Sequence, residues 1–309
     1  MTEAKSHIME LRHLRYFIAV AEQLHFSKAA EQLHIAQPPL SQQIRQLEQE
    51  IGVPLFHRTR RSVTLTTAGE AFLEEARKTI AQAERAIQVA HQAHQGEIGH
   101  LEIGFVSSAT AEAIPELMQR FHRQIPRVAI GLHGMFTVEV VQALHTKTIQ
   151  AGLLHPPIAD EELTLQTICD EPLLVALPEH HRLARQSQVI ITQLKDEGFL
   201  TYPRAWNPGT YDQAIAYCQQ AGFTMRVAQE TNSMQTTLGL VAAELGVALV
   251  PSSCRLLRTT GVVYRPLEGK PPTMTLALAW HPLHITPPLR QFIAITLDYA
   301  QEKQALSQV

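Results

Sequence analysis

Apolar residues fall at 11, 14, 17, 18, 20, 21 and 24, and again at 26, 29, 30 and 33, the three-to-four-residue spacing of amphipathic helices with a break near Phe26-Ser27. This spacing predicts two helices, the second capped by Ser27, followed by a tight turn at 34–36. A third helix opens at Pro38-Pro39, because proline suits the first helical turn, where backbone N–H groups lack intrahelical partners. Leu40, Ile44, Leu47 and Ile51 share its inner face, and Gly52 ends it. Helix, three-residue turn and helix is the spacing of a helix-turn-helix, whose second helix enters the DNA major groove by its N-terminus.

The pattern then changes period. "VPLFHRTRRSVTLT" gives an apolar run, a basic turn and alternation at Val63 and Leu65, which predicts a β-hairpin wing with Arg58, Arg60 and Arg61 near its tip. From Thr66 to Gln95 the chain lacks proline, and Ala76, Ile80, Ala83, Ile87, Ala90 and His94 follow steps of four and three, the seam of a coiled coil. Thr67 and Glu70 fit a capping box for this helix, with Thr66 the alternative cap. From His100 onward strand-like runs alternate with helical patterns: "LEIGFV", 111–122, "VAIGLHG", 137–144 and "IQAGLLH". A second series runs through "PLLVALP", "GFLTYP", 212–221, "VAQETN", 234–245 and "VALVP", closed by "TLALAW" and a helix at 288–300. This order predicts an α/β fold of two lobes, each a mainly parallel sheet with covering helices.

The predicted domains are therefore a winged helix-turn-helix at 1–66, a linker helix at 67–96 that joins a homodimer, and a two-lobed α/β domain at 97–309. Its first lobe takes about 97–169 and 275–309, and its second about 170–274. Charge supports the division. Residues 1–66 hold eight Lys/Arg against six Asp/Glu, and since the chain totals −3, the remainder carries −5, which confines a nucleic-acid partner to the small basic domain. The longest apolar stretch, Leu238 to Val250, is interrupted by Glu244 and falls short of the roughly 20 residues that span a bilayer. With no export signal at the start and three widely spaced cysteines, the expectation is a cytoplasmic protein with free thiols and no membrane partner.

"SKAAEQLHIAQPPLSQQIRQLEQEIGVPLFHRTRRSVTLTTAGEAFL" resembles the winged helix-turn-helix of LysR-type transcriptional regulators. The resemblance is carried by Ala29-Ala30, Gln37-Pro38, Leu47-Glu48, Gly52, Leu55-Phe56, Arg58 and Leu65-Thr66-x-Ala68-Gly69. Met9-Glu10-Leu11-Arg12 and the Gln37-Pro38-Pro39 form look most like the branch controlling aromatic-compound catabolism. "GLVAAELGVALVP" and the element order resemble the family's periplasmic-binding-protein-like effector domain. The resemblance implies a regulator of transcription on a two-fold operator in double-stranded DNA, built as a tetramer of two dimers, with RNA polymerase as a further partner; the spacing itself does not separate two subunits from four.

For the DNA interface the resemblance points to Gln37, Pro38, Ser41 and Gln42 at the groove, with Arg61 reaching from the wing. Ser27, Pro39, Arg45, Arg58 and Arg60 complete the candidate set. Glutamine pairs bidentately with adenine, and a helix N-terminus attracts phosphate. Many relatives carry arginine at the position of Gln42, which shifts one contact towards Arg45. In the effector domain Ser107-Ser108 follow the first strand and Phe136-Thr137 the second, where open α/β lobes bind ligands. The resemblance gives Ser108 and Thr137 the acid group of a small organic effector. His155 stands where aromatic-responsive relatives often have arginine, a weaker and pH-dependent positive charge. Tyr202, Trp206 and Asn207 are expected on the opposite wall.

An enzyme and a redox regulator are the two competing classes. An enzyme lacks support, since the chain has no G-x-S-x-G, H-E-x-x-H, phosphate-loop or dinucleotide motif. His91 and His94, His180-His181 and His281-x-x-His284 have no partner ligands at metal spacing, so neither metal nor cofactor is expected. A redox regulator of the same family would act through Cys218, which matches one of the cysteine pair of peroxide-sensing relatives. The partner position, nine residues earlier, is Gly209.

Overall fold

The computed structural model describes residues 9–59 and 62–307. Arg60 and Arg61, expected at the wing tip, and the extension at 1–8 lie outside the described residues. The chain divides into two compact units, one up to His91 and one from Gln92 onward.

The first unit comprises α1 (Leu11–Gln23), α2 (Phe26–Gln32), α3 (Gln37–Ile51), the hairpin strands β1 (Phe56–Arg58) and β2 (Val63–Leu65), and α4 (Thr67–Gln95), which continues past the unit boundary. Leu24 leaves α1 in the left-handed conformation, so extended His25 precedes α2 and its Nδ1 accepts the Lys28 N–H at 3.4 Å. His25, not Ser27, is the cap, and Ser27 lies inside the first turn. Helix α3 starts as expected, with extended Ala36 as its cap and both prolines in its first turn, and Gly52 closes it at φ +83°, a conformation open to glycine at little cost. Leu14, Leu40, Ile44 and Leu47 are buried around Phe17, whose ring meets Phe56 at 5.2 Å and Phe72 at 4.9 Å.

Glu48 joins α3 to the wing. One carboxylate oxygen accepts the N–H groups of Leu55 (2.9 Å) and Phe56 (3.1 Å), and the other accepts from Arg58 at 2.5 Å. Thr66 makes a second tie: its hydroxyl donates to the Pro54 carbonyl at 2.8 Å and accepts the Gly69 N–H at 2.9 Å, so Thr66 rather than Thr67 caps α4. Gly69 is required there, because a Cβ would lie 2.1 Å from the Leu55 carbonyl oxygen. Ala76 and Ile80 pack on this same core, so the first two seam positions already serve the head, whereas Ile87 further along is 60% exposed.

The second unit runs β3 (Ile98–Phe105), a single 3-10 turn (Ser107–Ala111), α5 (Ala113–Gln124), β4 (Arg127–Gly134), α6 (Thr137–His145), β5 (Ala151–Leu154), β6 (Thr164–Pro178), β7 (Gly198–Thr201), α7 (Pro208–Gln220), β8 (Arg226–Glu230), α8 (Met234–Ala242), β9 (Ala248–Pro251), β10 (Val262–Pro266), β11 (Thr273–Trp280) and α9 (Pro287–Ser307). Strands β4, β3 and β5 are parallel, but β11 pairs antiparallel with both β5 and β6. The sheet is mixed rather than mainly parallel, because "PLLVALP" is only the end of β6, a strand of 15 residues. Thr164–Pro172 pair with β11, whereas Leu173–Ala176 pair with β9 and Leu174–Pro178 with β10.

One strand thus serves two lobes. The first lobe buries Leu101, Ile103, Leu117 and the crossed rings of Phe121 and Phe292, 5.8 Å apart, beneath α5 and α9. The second packs Leu173, Val175, Leu177 and Phe199 against α7. Among the described residues no helix is long and apolar enough to cross a membrane.

Replacing Glu48 with alanine is expected to remove three hydrogen bonds from one half-buried carboxylate and to destabilise the first unit by about 2 kcal/mol, given about 1.5–3 kcal/mol for a hydrogen bond to a charged group and some recovery by water. Faster amide hydrogen exchange at Leu55 and Phe56, with unchanged exchange in the second unit, is the measurement that checks it.

Candidate functional site

The first turn of α3 is where the candidate DNA contacts gather. Gln37, Pro38, Pro39, Gln42 and Arg45 are exposed, as are Ser27 and Lys28 at the start of α2. Pro38 and Pro39 have no N–H, so these two positions offer no backbone donor and side chains take a larger share of the polar contacts from this turn. Ser41 is buried, and its hydroxyl accepts the Gln37 amide at 2.8 Å, so these two side chains act as one unit. Arg58 departs from expectation. Its guanidinium is held by Glu48 and lies 5.1 Å from the centre of the Phe26 ring, which makes it a clamp between wing and helices. Sequence reasoning also passed over His13, which is buried and bonded to Gln43 of α3 at 2.8 Å.

The second unit holds a cleft between its lobes. Ser107 and Ser108 leave β3 in the 3-10 turn, not at the N-terminus of α5, which begins at Ala113. A cavity of about 300 Å³ is lined by Phe105, Val106, Ser107, Ser108, Met135, Phe136, His155, Tyr202 and Asn207 among others. A smaller, apolar one of about 30 Å³, room for one or two waters, lies beside it among Phe199, Leu200, Met225 and Met274 and shares Ser108, His155 and Tyr202 as its wall.

The polar groups across the cleft are tied to one another. The Met234 N–H at the start of α8 donates to the Ser107 hydroxyl at 3.1 Å, and the Tyr202 hydroxyl stands 3.1 Å from the same oxygen. The Thr137 N–H donates to Asn207 Oδ1 at 3.2 Å, and Gln235 donates to Thr110 at 3.2 Å. Phe136 packs edge-on against Tyr202 (6.0 Å) and Trp206 (4.5 Å). Burial raises the Tyr202 phenol well above its usual range, so it acts as a neutral donor or acceptor.

His155 is buried beneath this cavity. Its Nδ1 lies 2.8 Å from the Thr275 carbonyl of β11, and its Nε2 lies 2.7 Å from the Ser108 hydroxyl. Burial pushes its pKa below the ordinary histidine value, opposed by the Thr275 hydrogen bond and the nearby Glu171 carboxylate.

Six of the eight expected cleft residues line the larger cavity: Ser107, Ser108, Phe136, His155, Tyr202 and Asn207. Thr137 and Trp206 do not. The Thr137 hydroxyl is buried without a hydrogen-bond partner among the described residues, and Trp206, 46% exposed, covers a separate groove of the second lobe. Asn232, Ser233 and Gln235 were missed. Their signal was present in "ETNSMQ", a polar run between β8 and α8 that mirrors "VSSAT" after β3.

His281, left without partners in the sequence, lies with His145 and Glu162, their ligand atoms within 4.8 Å of one another. Both rings have structural partners: His145 bonds Asp160 at 2.6 Å, and His281 accepts the Leu283 N–H at 3.2 Å.

Comparison with known proteins agrees with both units. Residues 11–70 match the model of bacterial regulatory helix-turn-helix proteins of the lysR family, and residues 94–301 match the LysR substrate binding domain. The chain is 40% identical to the HTH-type transcriptional regulator AlsR of Bacillus subtilis (strain 168) over 288 residues, which covers 93% of this chain and 95% of that one. It is 38% identical to the Hca operon transcriptional activator HcaR of Escherichia coli (strain K12), covering 94% and 98%. Full-length CbnR complexed with its target DNA superposes with a TM-score of 0.83 at 27% identity, covering 94% of this chain and all of that one. With a DNA-reading head and a two-lobed domain both matched across nearly their whole length, the chain belongs to the LysR family of DNA-binding transcriptional regulators, with an effector-binding domain.

Proposed function

We propose that a small organic acid occupies the interlobe cleft and switches the protein's action on DNA. The observation that carries this reading is the cavity of about 300 Å³ in which the hydroxyls of Ser107, Ser108, Thr110 and Ser233, the Tyr202 phenol, the His155 imidazole and the amides of Asn207, Asn232 and Gln235 converge among Phe105, Val106, Met135 and Phe136, with Glu139 also in the wall. Its size, and polar groups that converge on an apolar wall, suit a small ligand. The hydrogen bonds that cross the cleft supply the two-state element: an effector that strengthens some and replaces others binds the two lobe arrangements differently, which any ligand-driven switch requires. The similarity to the aromatic-catabolism branch favours an aryl acid among organic acids.

On the DNA side, the exposed residues of α3 support base reading by Gln37 and Gln42, phosphate contact by Arg45 and, from the start of α2, by Ser27, and thymine-methyl contact by Pro38 or Pro39. Arg60 and Arg61 are assigned to the backbone beside the wing. Ile87, bare on the single chain, supports a dimer joined along α4, and two such dimers would make the tetramer.

A cysteine-based redox switch is not favoured. Cys218 is fully buried, and burial pushes its thiol up to about 11, so at pH 7 only about one molecule in 10⁴ carries the reactive thiolate. Cys169, Cys218 and Cys254 are all free.

Three outcomes test the reading. In a thermal-shift screen, carboxylates are expected to stabilise the second unit by about 2.7 kcal/mol at a hundredfold excess over Kd, an effect abolished by Ser108→Val; a screen in which only neutral compounds act would overturn it. Arg45→Ala is expected to weaken binding to operator and non-operator DNA alike and to flatten the salt dependence of log K by about one. Ile87→Glu is expected to shift the protein to a smaller species in light scattering at fixed concentration.

A further inference from the structure

The two hydrogen bonds of His155 fix which atoms carry protons. The Thr275 carbonyl can only accept, so His155 Nδ1 donates to it across 2.8 Å. In a neutral ring the other nitrogen, Nε2, is then a lone pair, and the Ser108 hydroxyl 2.7 Å away must donate to it. Ser108 is left presenting only lone pairs to the cavity. A carboxylate brought to that hydroxyl meets another acceptor.

A protonated ring reverses the arrangement. Both nitrogens then donate, Nε2–H to Ser108 Oγ, and the Ser108 proton is released towards the cavity. Ser107 and Tyr202 behave differently: whichever of the pair donates to the other, one hydroxyl proton remains free for a ligand in either state of His155. Among the described residues that wall the two cleft cavities and the small one beneath His155, none is lysine or arginine. Histidine 155 is therefore the one side chain in those walls that can become a cation.

We infer that a carboxylate effector binds this cleft together with one proton, taken from solvent onto His155 Nε2, and that Ser108 turns from acceptor to donor in the same event. The inference rests on the reading of the cleft as an acid-binding site. In balance, the free protein with neutral His155, one carboxylate and one solvent proton give a complex in which the imidazolium offsets the anion, so the pair enters with no net charge. The groups around the ring agree with a neutral free state that is ready to charge. Glu171 on β6 lies close enough to favour the cation. Glu112, Cys169 and Tyr299 share the small cavity beneath the ring, with Glu112 held by Lys303; Glu139 and Tyr202 share the cleft above it. A neutral hydrogen-bond donor, such as an amide of the same shape, meets a lone pair at Ser108 and needs no proton.

Isothermal titration of the full-length protein at pH 7 tests this, with propanoate and benzoate as probes and propanamide and benzamide as neutral counterparts, each run in MOPS, imidazole and Tris. The slope of observed enthalpy against buffer ionisation enthalpy counts protons. A slope of about one proton taken up for the carboxylates and zero for the amides is expected, with carboxylate Kd weakening about tenfold per pH unit above neutrality. Carboxylate binding that is abolished by Ser108→Val yet shows zero uptake and a flat pH profile overturns the inference and leaves the acid-binding reading standing. Carboxylates that do not bind, or bind equally well to Ser108→Val, overturn both. His155→Arg supplies a permanent cation and is expected to bind carboxylates without uptake; since Arg in a buried site can disturb folding, the wild-type titration is the deciding measurement.

Discussion

Strand β6 is the constraint on which the second unit depends. Its 15 residues lie first in the ladder with β11 and then between β9 and β10, so a single run of backbone passes from one core into the other. A strand that must satisfy its N–H and C=O groups along its whole length cannot bend freely. The two lobes share this strand at the back. Across the cleft, besides the ring contacts of Phe136 with Tyr202 and Trp206, they are tied by hydrogen bonds that include Ser107 with Met234 and Tyr202, Asn207 with Thr137, Gln235 with Thr110 and the Val138 N–H with the Trp206 carbonyl. Each contributes about 1 kcal/mol net. A stiff back and weak front make lobe placement sensitive to one small ligand.

Much of the first unit was legible because its information is local. The position of Pro38-Pro39, the apolar face of α3 and the left-handed Gly52 each follow from conformational rules acting over a few residues. The errors were also local but finer. Ser27 lost the cap to His25 because Leu24, not the Phe26-Ser27 step, makes the turn, and nothing in leucine's side chain announces a left-handed backbone. The pairing of Arg58 was not legible either, because a basic cluster carries the same charge whether it faces phosphate or Glu48 ten residues earlier. Only the fold distinguishes them.

In the second unit the element order was readable and the sheet's direction was not. Pro172, which ends the pairing of β6 with β11, looks like a boundary in the sequence, yet the strand runs through it. Among the residues that line the cleft, Ser107, Ser108 and Asn207 were expected from a rule about loops at strand ends, and His155 from the family resemblance. That rule says where a residue sits and not which way its side chain turns, so it also included Thr137 and Trp206. The partners that set the chemistry are remote in sequence: Thr275 lies 120 positions from His155, and Ser108 lies 47.

A histidine at 155 and a permanent cation there would give the cleft different discrimination. An arginine would be charged at every physiological pH, so a cavity lined by it would pay for burying a charge whenever empty. Histidine 155 stays neutral while the site is empty, and its one acceptor is satisfied by Ser108 and its one donor by Thr275. The empty cleft therefore contains no unpaired charge from this residue. On the proposed reading the neutral free state forgoes intrinsic affinity for anions, and the pairing of Ser108 with His155 is where the ligand's chemistry would be read.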